Sequence, residues 1–459
     1  MTTGLVDVTK TKNLALWDGL TSALAAFCFT VAFFLPDFSY YLFYLLMLLS
    51  LTIAGQLSLM NVNQGIWRTL FKAHKWGLVG VFAWLAFMTL SLINVWVDST
   101  VTPRQYQMSA LRYIYDVILL AFVFMLARLF LANVLKIEKL LVGLALGFAV
   151  LLCIQVGYFY QFSINAQDWF AEPPLAPHIR DQGNLACVIA VSFLAWWIVK
   201  KPKAVVLQGL IVITIWMGLS FIFWAGGRAA MAATVITCLL LVTFYQIAYR
   251  RGGMKALGFV VLMLVLGVVS AEMLSVYPWN GLVRFVESAE DVKSVAASSQ
   301  ASTPVNLNHL TTGRMHMWSL SLKGFFAEPW LGLGPYGYFF IPERVYDDQP
   351  HNFIIQFLVE WGVLGAGCLM ALMLWCFAFV FKTLPSAFRE NNLSMVIAAA
   401  IICVLTLHGL TGGTYFKLQP LTFLSIAYAV VLGEYIKVNA FASNDRRRKA
   451  QEATGLANE

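Results

Sequence analysis

The sequence predicts an all-α integral membrane protein of about twelve spans, and three observations predict it. Hydrophobic residues make up 60% of the 459-residue chain and charged residues only 12%, about half the ~25% charged share of an ordinary soluble protein. The apolar residues fall in continuous runs near twenty residues, such as 76–97 and 205–224, which is the length of a membrane helix. These runs lack the alternation of apolar and polar residues that marks a barrel strand. A lipid-spanning chain has only those two ways to satisfy its backbone internally. A soluble enzyme, a secreted disulfide domain, a disordered chain and a nucleic-acid binder are therefore excluded.

Apolar runs separated by charged breaks place the spans near 14–36, 39–60, 76–97, 113–134, 140–162, 183–199, 205–224, 229–248, 256–276, 352–381, 392–408 and 419–436. Residues 1–276 thus hold nine spans, 277–350 one long loop, 351–436 three more spans, and 437–459 a basic tail. The first run is too long for a cleavable signal peptide, and a second follows at once. All seven cysteines lie within apolar runs and match no zinc-binding spacing. They read as small core residues, with no disulfide framework.

Basic residues orient the spans, because cytoplasmic loops carry an excess of Lys and Arg. With the N-terminus inside, 21 of the 31 basic residues fall inside and 15 of the 23 acidic residues fall outside. Both termini are then cytoplasmic. The net charge of +8, including Arg446, Arg447, Arg448 and Lys449 of the tail, is a topology signal facing anionic lipid and not a nucleic-acid site. The loop at 277–350 lies outside, and loops of that length are usually functional. Its Ser/Ala-rich stretch at 294–303 reads as flexible, 312–326 as a short amphipathic helix with Trp318, and 329–337 as a turn-rich segment.

Span interiors look almost free of charge, so a pathway of buried ionisable groups is not expected. The unusual polar residues gather at the outer ends. They are Arg180 in the segment PHIRDQGNLA, Arg228 in WAGGRAA, Arg314 in TGRMHMW, and His351 in QPHNFIIQFLVEWG. Helix N-termini present free N–H groups and partial positive charge. With arginines beside them they suit a phosphate-type anion. Imidazole is the side chain best suited to accept a proton near neutral pH, so His351 is the candidate general base and Asn352 its orienting neighbour. Glu360, nine residues on, reads as structural. No Asp-x-Asp pair is present, and the adjacent Asp347 and Asp348 read as loop charges, so no metal site is expected. His178, His309 and His316 read as bystanders.

At these residues the chain resembles the O-antigen ligase/polymerase superfamily of bacterial envelopes, most closely the WaaL-type ligases. An R-x-x-G…N-x-A element is similar to Arg180, Gly183, Asn184 and Ala186, shortened here before Asn184; a G-R/S-R-G-A element is similar to Gly227, Arg228 and Ala229, with Ala-Gly-Gly where Thr/Ser-Gly-Ser usually precedes the arginine. A G-R…W…P-x-x-G-x-G string resembles Gly313, Arg314, Trp318, Pro329, Gly332 and Gly334. An H-N…E-x-G-x-x-G signature resembles His351, Asn352, Glu360, Gly362 and Gly365. The order holds over most of residues 100–410.

The resemblance implies a GT-C-like glycosyltransferase of the bacterial inner membrane with a periplasmic active site and no cofactor. The donor it implies is an undecaprenyl-pyrophosphate-linked glycan, and the acceptor a sugar hydroxyl of lipid A-core. His351, Arg228 and Arg314 would be catalytic. Arg180, Asn184, Asn352, Trp318 and Tyr336 would bind substrate, with Trp330 and Tyr338 as further aromatic contacts. Membrane lipids are the remaining partner. Three other readings stay open: an O-antigen polymerase, a protein O-oligosaccharyltransferase using the same donor, and a lipid or glycan transporter. A transporter would call for mid-span charges or broken helices, and neither is expected here.

Overall fold

The computed structural model describes residues 75–98, 101–131, 137–162, 179–249, 253–274, 314–342 and 349–455. The first two predicted spans, the 294–303 stretch, Asp347 and Asp348 lie outside them, as do His178 and His309. Every regular element among the described residues is a helix. The long ones are α1 (Lys75–Val97), α2 (Pro103–Leu131), α3 (Ile137–Phe162), α4 (Ile179–Lys200), α5 (Val205–Trp224), α6 (Arg228–Tyr249) and α7 (Gly253–Met273). After the short α8 (Arg314–Ala327) and a 3-10 turn at Gly337–Phe340 come α9 (Phe353–Arg389), α10 (Leu393–Gly409) and α11 (Leu418–Gly455). Nine of these are long and apolar enough to cross a membrane, and α10 is a shorter apolar helix. All ten predicted spans within the described residues are therefore present.

Two helices form the centre. The membrane-length stretch of α4 is 89% buried, the largest share of any span. α10 packs against α4, α6, α9 and α11. Small side chains permit this closeness. A Cβ added at Gly218 of α5 would lie 3.1 Å from the Ala186 carbonyl of α4. α10 presents Ala398, Ala399 and Ala400 in its buried middle.

Cross-helix contacts sort the helix termini into two ends. At one, Cys187 near the start of α4 donates to the Ala230 carbonyl near the start of α6. Gly409 at the end of α10 abuts Phe353 at the start of α9. At the other, Lys200 Nζ donates to the Asn391 carbonyl, and Tyr249 Oη to the Phe388 carbonyl. Arg180, Arg228, Arg314 and His351 all belong to elements that begin at the first end.

The expectation of unbroken spans without internal charge is corrected on both counts. α9 is two helices joined at Gly362, whose φ of 59° and ψ of −170° interrupt the helix. The segment after α8 fills the interruption. Leu333 N donates to the Val359 carbonyl at 2.8 Å, and Val363 N to the Pro329 carbonyl at 2.8 Å. Backbone groups freed in a span are tolerated only where protein satisfies them, and here the chain's own loop does so. Gly332 (φ 73°) is required by closeness as well as conformation, since its Cβ would lie 2.6 Å from Gly362 N. A Cβ at Gly362 would strike the Trp330 carbonyl.

The second correction concerns α2, which begins ten residues before the apolar run does. Gln105 Oε1 accepts from Thr102 N at 2.8 Å, while Thr102 Oγ1 accepts from Gln105 N at 3.4 Å. That reciprocal pair is a capping box, with Pro103 at the first helical position, where its missing N–H costs nothing. The earlier start carries Arg112 and Asp116 into the protein as a buried pair 3.4 Å apart, one helical turn from each other.

Candidate active site at the His351 end

His351 lies just outside α9, not in its first turn. Its φ is 53°, and the helix is capped by the next residue, Asn352, whose Oδ1 accepts from Ile354 N at 3.0 Å and Ile355 N at 3.2 Å. A non-glycine residue in the left-handed region costs of order 1–3 kcal/mol and persists where its surroundings over-determine it. Three contacts do so here. Asn352 holds the C-terminal side. On the N-terminal side, Trp318 Nε1 donates to the Pro350 carbonyl at 2.6 Å, and Gln349, 1% exposed, packs against Gly413 in the α10–α11 turn. His351 itself remains half-buried.

The Trp318 bond ties α8 to this turn. Arg314 opens α8 one turn before Trp318 and is half-buried. Trp318 is thus a clamp on the His351 backbone, in addition to any ligand contact of its ring face. Arg228 opens α6 after Gly226, which supplies the left-handed turn (φ 66°), and its side chain is exposed. Gly227 needs no such conformation. Arg180 lies in the first turn of α4, and its side chain falls outside the described residues.

Asn184, 4% exposed, faces the interior one turn further along α4, beside Gln182 at 0%. Among the described residues, its Oδ1 and both terminal atoms of Gln182 have no hydrogen-bond partner. Buried amides are normally satisfied. Two unsatisfied ones beside Arg180 mark a place where a polar ligand or water completes the bonding. In the PHIRDQGNLA segment Gln182 follows Arg180 and Asp181, and an amide after two charges reads as surface.

The aromatic candidates separate. Trp330 is 65% exposed and free to meet a ligand or the membrane surface. Tyr338 is 2% exposed, its ring enclosed with Met317 and Val359, so the expectation of a ligand-stacking Tyr338 is corrected. Tyr336 is half-buried, with φ 66°, and its ring stands edge-on to Phe416 at 5.1 Å.

Beneath this surface lies a buried charged hub that the sequence reading missed. Arg112 donates to the Phe416 carbonyl at 2.8 Å and the Tyr415 carbonyl at 3.0 Å, and sits 5.4 Å from the Phe416 ring centre. Its charge acts on Glu360, whose carboxylate faces the Tyr336 N–H and accepts from Gln356 Nε2 at 3.1 Å. The Glu360 and Leu331 carbonyls share the Ser91 hydroxyl of α1, at 2.9 and 2.7 Å. Glu360 thus joins α1, α2, α9 and the loop after α8. In the turn above, burial pushes the Tyr415 phenol up to about 12. It stays neutral, bonded at 2.9 Å to Thr406.

Among the described residues no three His, Cys, Asp or Glu side chains gather as metal ligands.

A bundle of long apolar helices, with Gln182, Asn184, Arg228 and His351 toward one end, defines a multi-pass membrane protein. Residues 213–370, from α5 through the break in α9, match the family model described as O-antigen ligase. That stretch is about a third of the chain, and the match is consistent with membership of the O-antigen ligase/polymerase family. Members of that family are membrane enzymes of the glycosyltransferase or ligase type. The matched stretch includes Arg228, Arg314 and His351 and leaves out Arg180 and Asn184. No curated protein matches the chain.

Proposed function

We propose that the protein is an O-antigen ligase of the bacterial inner membrane. It transfers a polysaccharide from undecaprenyl pyrophosphate to a sugar hydroxyl of lipid A-core. The observation that carries this reading is His351, a half-buried imidazole held in left-handed backbone at the polar end, inside the matched family region. The basic excess at the opposite end, with Lys200, Lys201, Lys203, Lys255, Lys382 and Arg389, supports a periplasmic site and cytoplasmic termini.

In this mechanism His351 takes the proton of the acceptor hydroxyl as the oxygen attacks the donor's anomeric carbon. The bond to the pyrophosphate oxygen breaks in the same step, inverting the centre. Arg180, Arg228 and Arg314 stabilise the charge that grows on the leaving pyrophosphate, the kind of electrostatic term that usually contributes most. Gln182 and Asn184 supply hydrogen bonds from their side-chain amides to the donor. The polyprenyl tail lies along apolar helices. A groove of about 220 Å³ between α6, α9 and α10, lined by Phe244, Phe377, Ala400 and Leu407 among others, offers one such path.

The test is complementation with the full chain. In a strain lacking its own ligase, the protein restores long-chain lipopolysaccharide and His351→Ala, at equal membrane level, does not. Restoration only in a polymerase-deficient strain would keep the chemistry and move the acceptor to another lipid-linked glycan. Unchanged activity of His351→Ala would remove the general-base role.

A further inference from the structure

The end of the bundle opposite His351 carries a second polar cavity, of about 380 Å³, where α4, α5, α6 and α7 meet. Lys201, Lys255, Tyr245, Gln208, Trp197 and Pro202 are among its lining, and no acidic side chain is. Pro202 ends α4 and leaves Lys201 in left-handed backbone (φ 43°). That strained conformation sends the ammonium back over the cavity. Lys201 Nζ donates to Tyr245 Oη at 2.6 Å and lies 5.1 Å from the Tyr245 ring centre.

Tyr245 is 5% exposed. With its oxygen engaged by Lys201, its own proton is left to donate. Lys201 keeps two more protons, and an ammonium has three to give. Lys255 enters from the start of α7, and Trp197 forms the wall, stacked on Phe259 at 3.7 Å. Two cations, a phenol and an amide carrier converge, with no counter-charge among them. All sit at, or within about two turns of, the termini of membrane-length helices, the region where interfacial residues gather.

We propose that this cavity binds a phosphate-bearing anion, namely the headgroup of an anionic phospholipid. Lys201 and Lys255 clasp the phosphate, Tyr245 donates to it, and Trp197 packs on the headgroup carbons. Basic recesses between spans on the lysine-rich side are where such headgroups bind. This site rests on the cavity alone and does not depend on the transferase reading.

Native mass spectrometry of the full chain in neutral detergent tests it, with phosphatidylglycerol and phosphatidylcholine as probes. The unmodified protein retains phosphatidylglycerol in preference to phosphatidylcholine. Lys201→Gln and Lys255→Gln each lower phosphatidylglycerol binding about fivefold, the attraction one lysine gives at an anionic surface, and leave phosphatidylcholine binding alone. Tyr245→Phe lowers it less. Lys382→Gln, an exposed lysine of α9 outside the cavity, changes nothing. Displacement by inorganic phosphate would assign the site to the free ion, and persistence of the lipid assigns it to the headgroup. Equal retention of the two lipids, or an equal loss in Lys382→Gln, would overturn the proposal.

Discussion

Two residues in left-handed backbone stand eleven positions apart, His351 just before α9 and Gly362 within it, and they differ in everything else. Gly362 (φ 59°) is buried, and the loop after α8 fills the gap it opens. His351 (φ 53°) is half-buried and stands at the polar end, just before the Asn352 cap. At Gly362 the residue type suits the conformation, so the bend costs little and serves packing. At His351 the residue type opposes the conformation, and Trp318, Asn352 and Gln349 hold it in place. A left-handed glycine met on all sides by satisfied backbone is architecture. A left-handed histidine, half-buried and clamped on both flanks, is the position the proposed chemistry rests on.

That contrast can be broken, or sharpened, by substitution. Gly362→Ala should have the largest effect, since it adds left-handed strain to a clash with the Trp330 carbonyl. A loss of about 4 kcal/mol is expected, read as a collapse of folded yield and thermal midpoint; near-native stability would mean the loop does not seat in the break. Arg112→Ala comes next, at about 3 kcal/mol, because it strands Asp116 and Glu360 in the interior. A thermal scan unchanged by that variant would show the hub to be hydrated and of little weight. Asn352→Ala removes the α9 cap and should cost about 1 kcal/mol, with a larger loss of activity as the His351 turn loosens. Smallest is His351→Gly, which relieves the left-handed backbone and should raise stability by about 1 kcal/mol while abolishing activity. A loss of stability there would make His351 a packing residue.

The spans were legible because lipid demands near-continuous apolar runs, and every predicted span within the described residues is a helix. The polar end was legible through Arg228, Arg314 and His351, whose neighbouring glycine and proline mark turns. The buried hub was not. Arg112 stands just before the predicted span at 113–134 and Asp116 just inside it, at its outer margin, although the T-P-R-Q capping box at 102–105 already starts the helix earlier. The break at Gly362 was hidden for another reason. Glycine in an apolar helix is common in membranes, and only the loop that docks there, far off in sequence, shows which glycine bends. The pairing of P-x-x-G-x-G with E-x-G is a long-range contact, and neither motif states it alone.

The most direct measurement is glycan transfer by purified, reconstituted protein, with undecaprenyl-pyrophosphate-linked donor and lipid A-core acceptor, for the unmodified chain and His351→Ala. Removal of a general base should lower kcat by about 10²- to 10⁴-fold, with thermal stability held or raised. Transfer by His351→Ala within threefold of the unmodified chain would contradict the account at its centre.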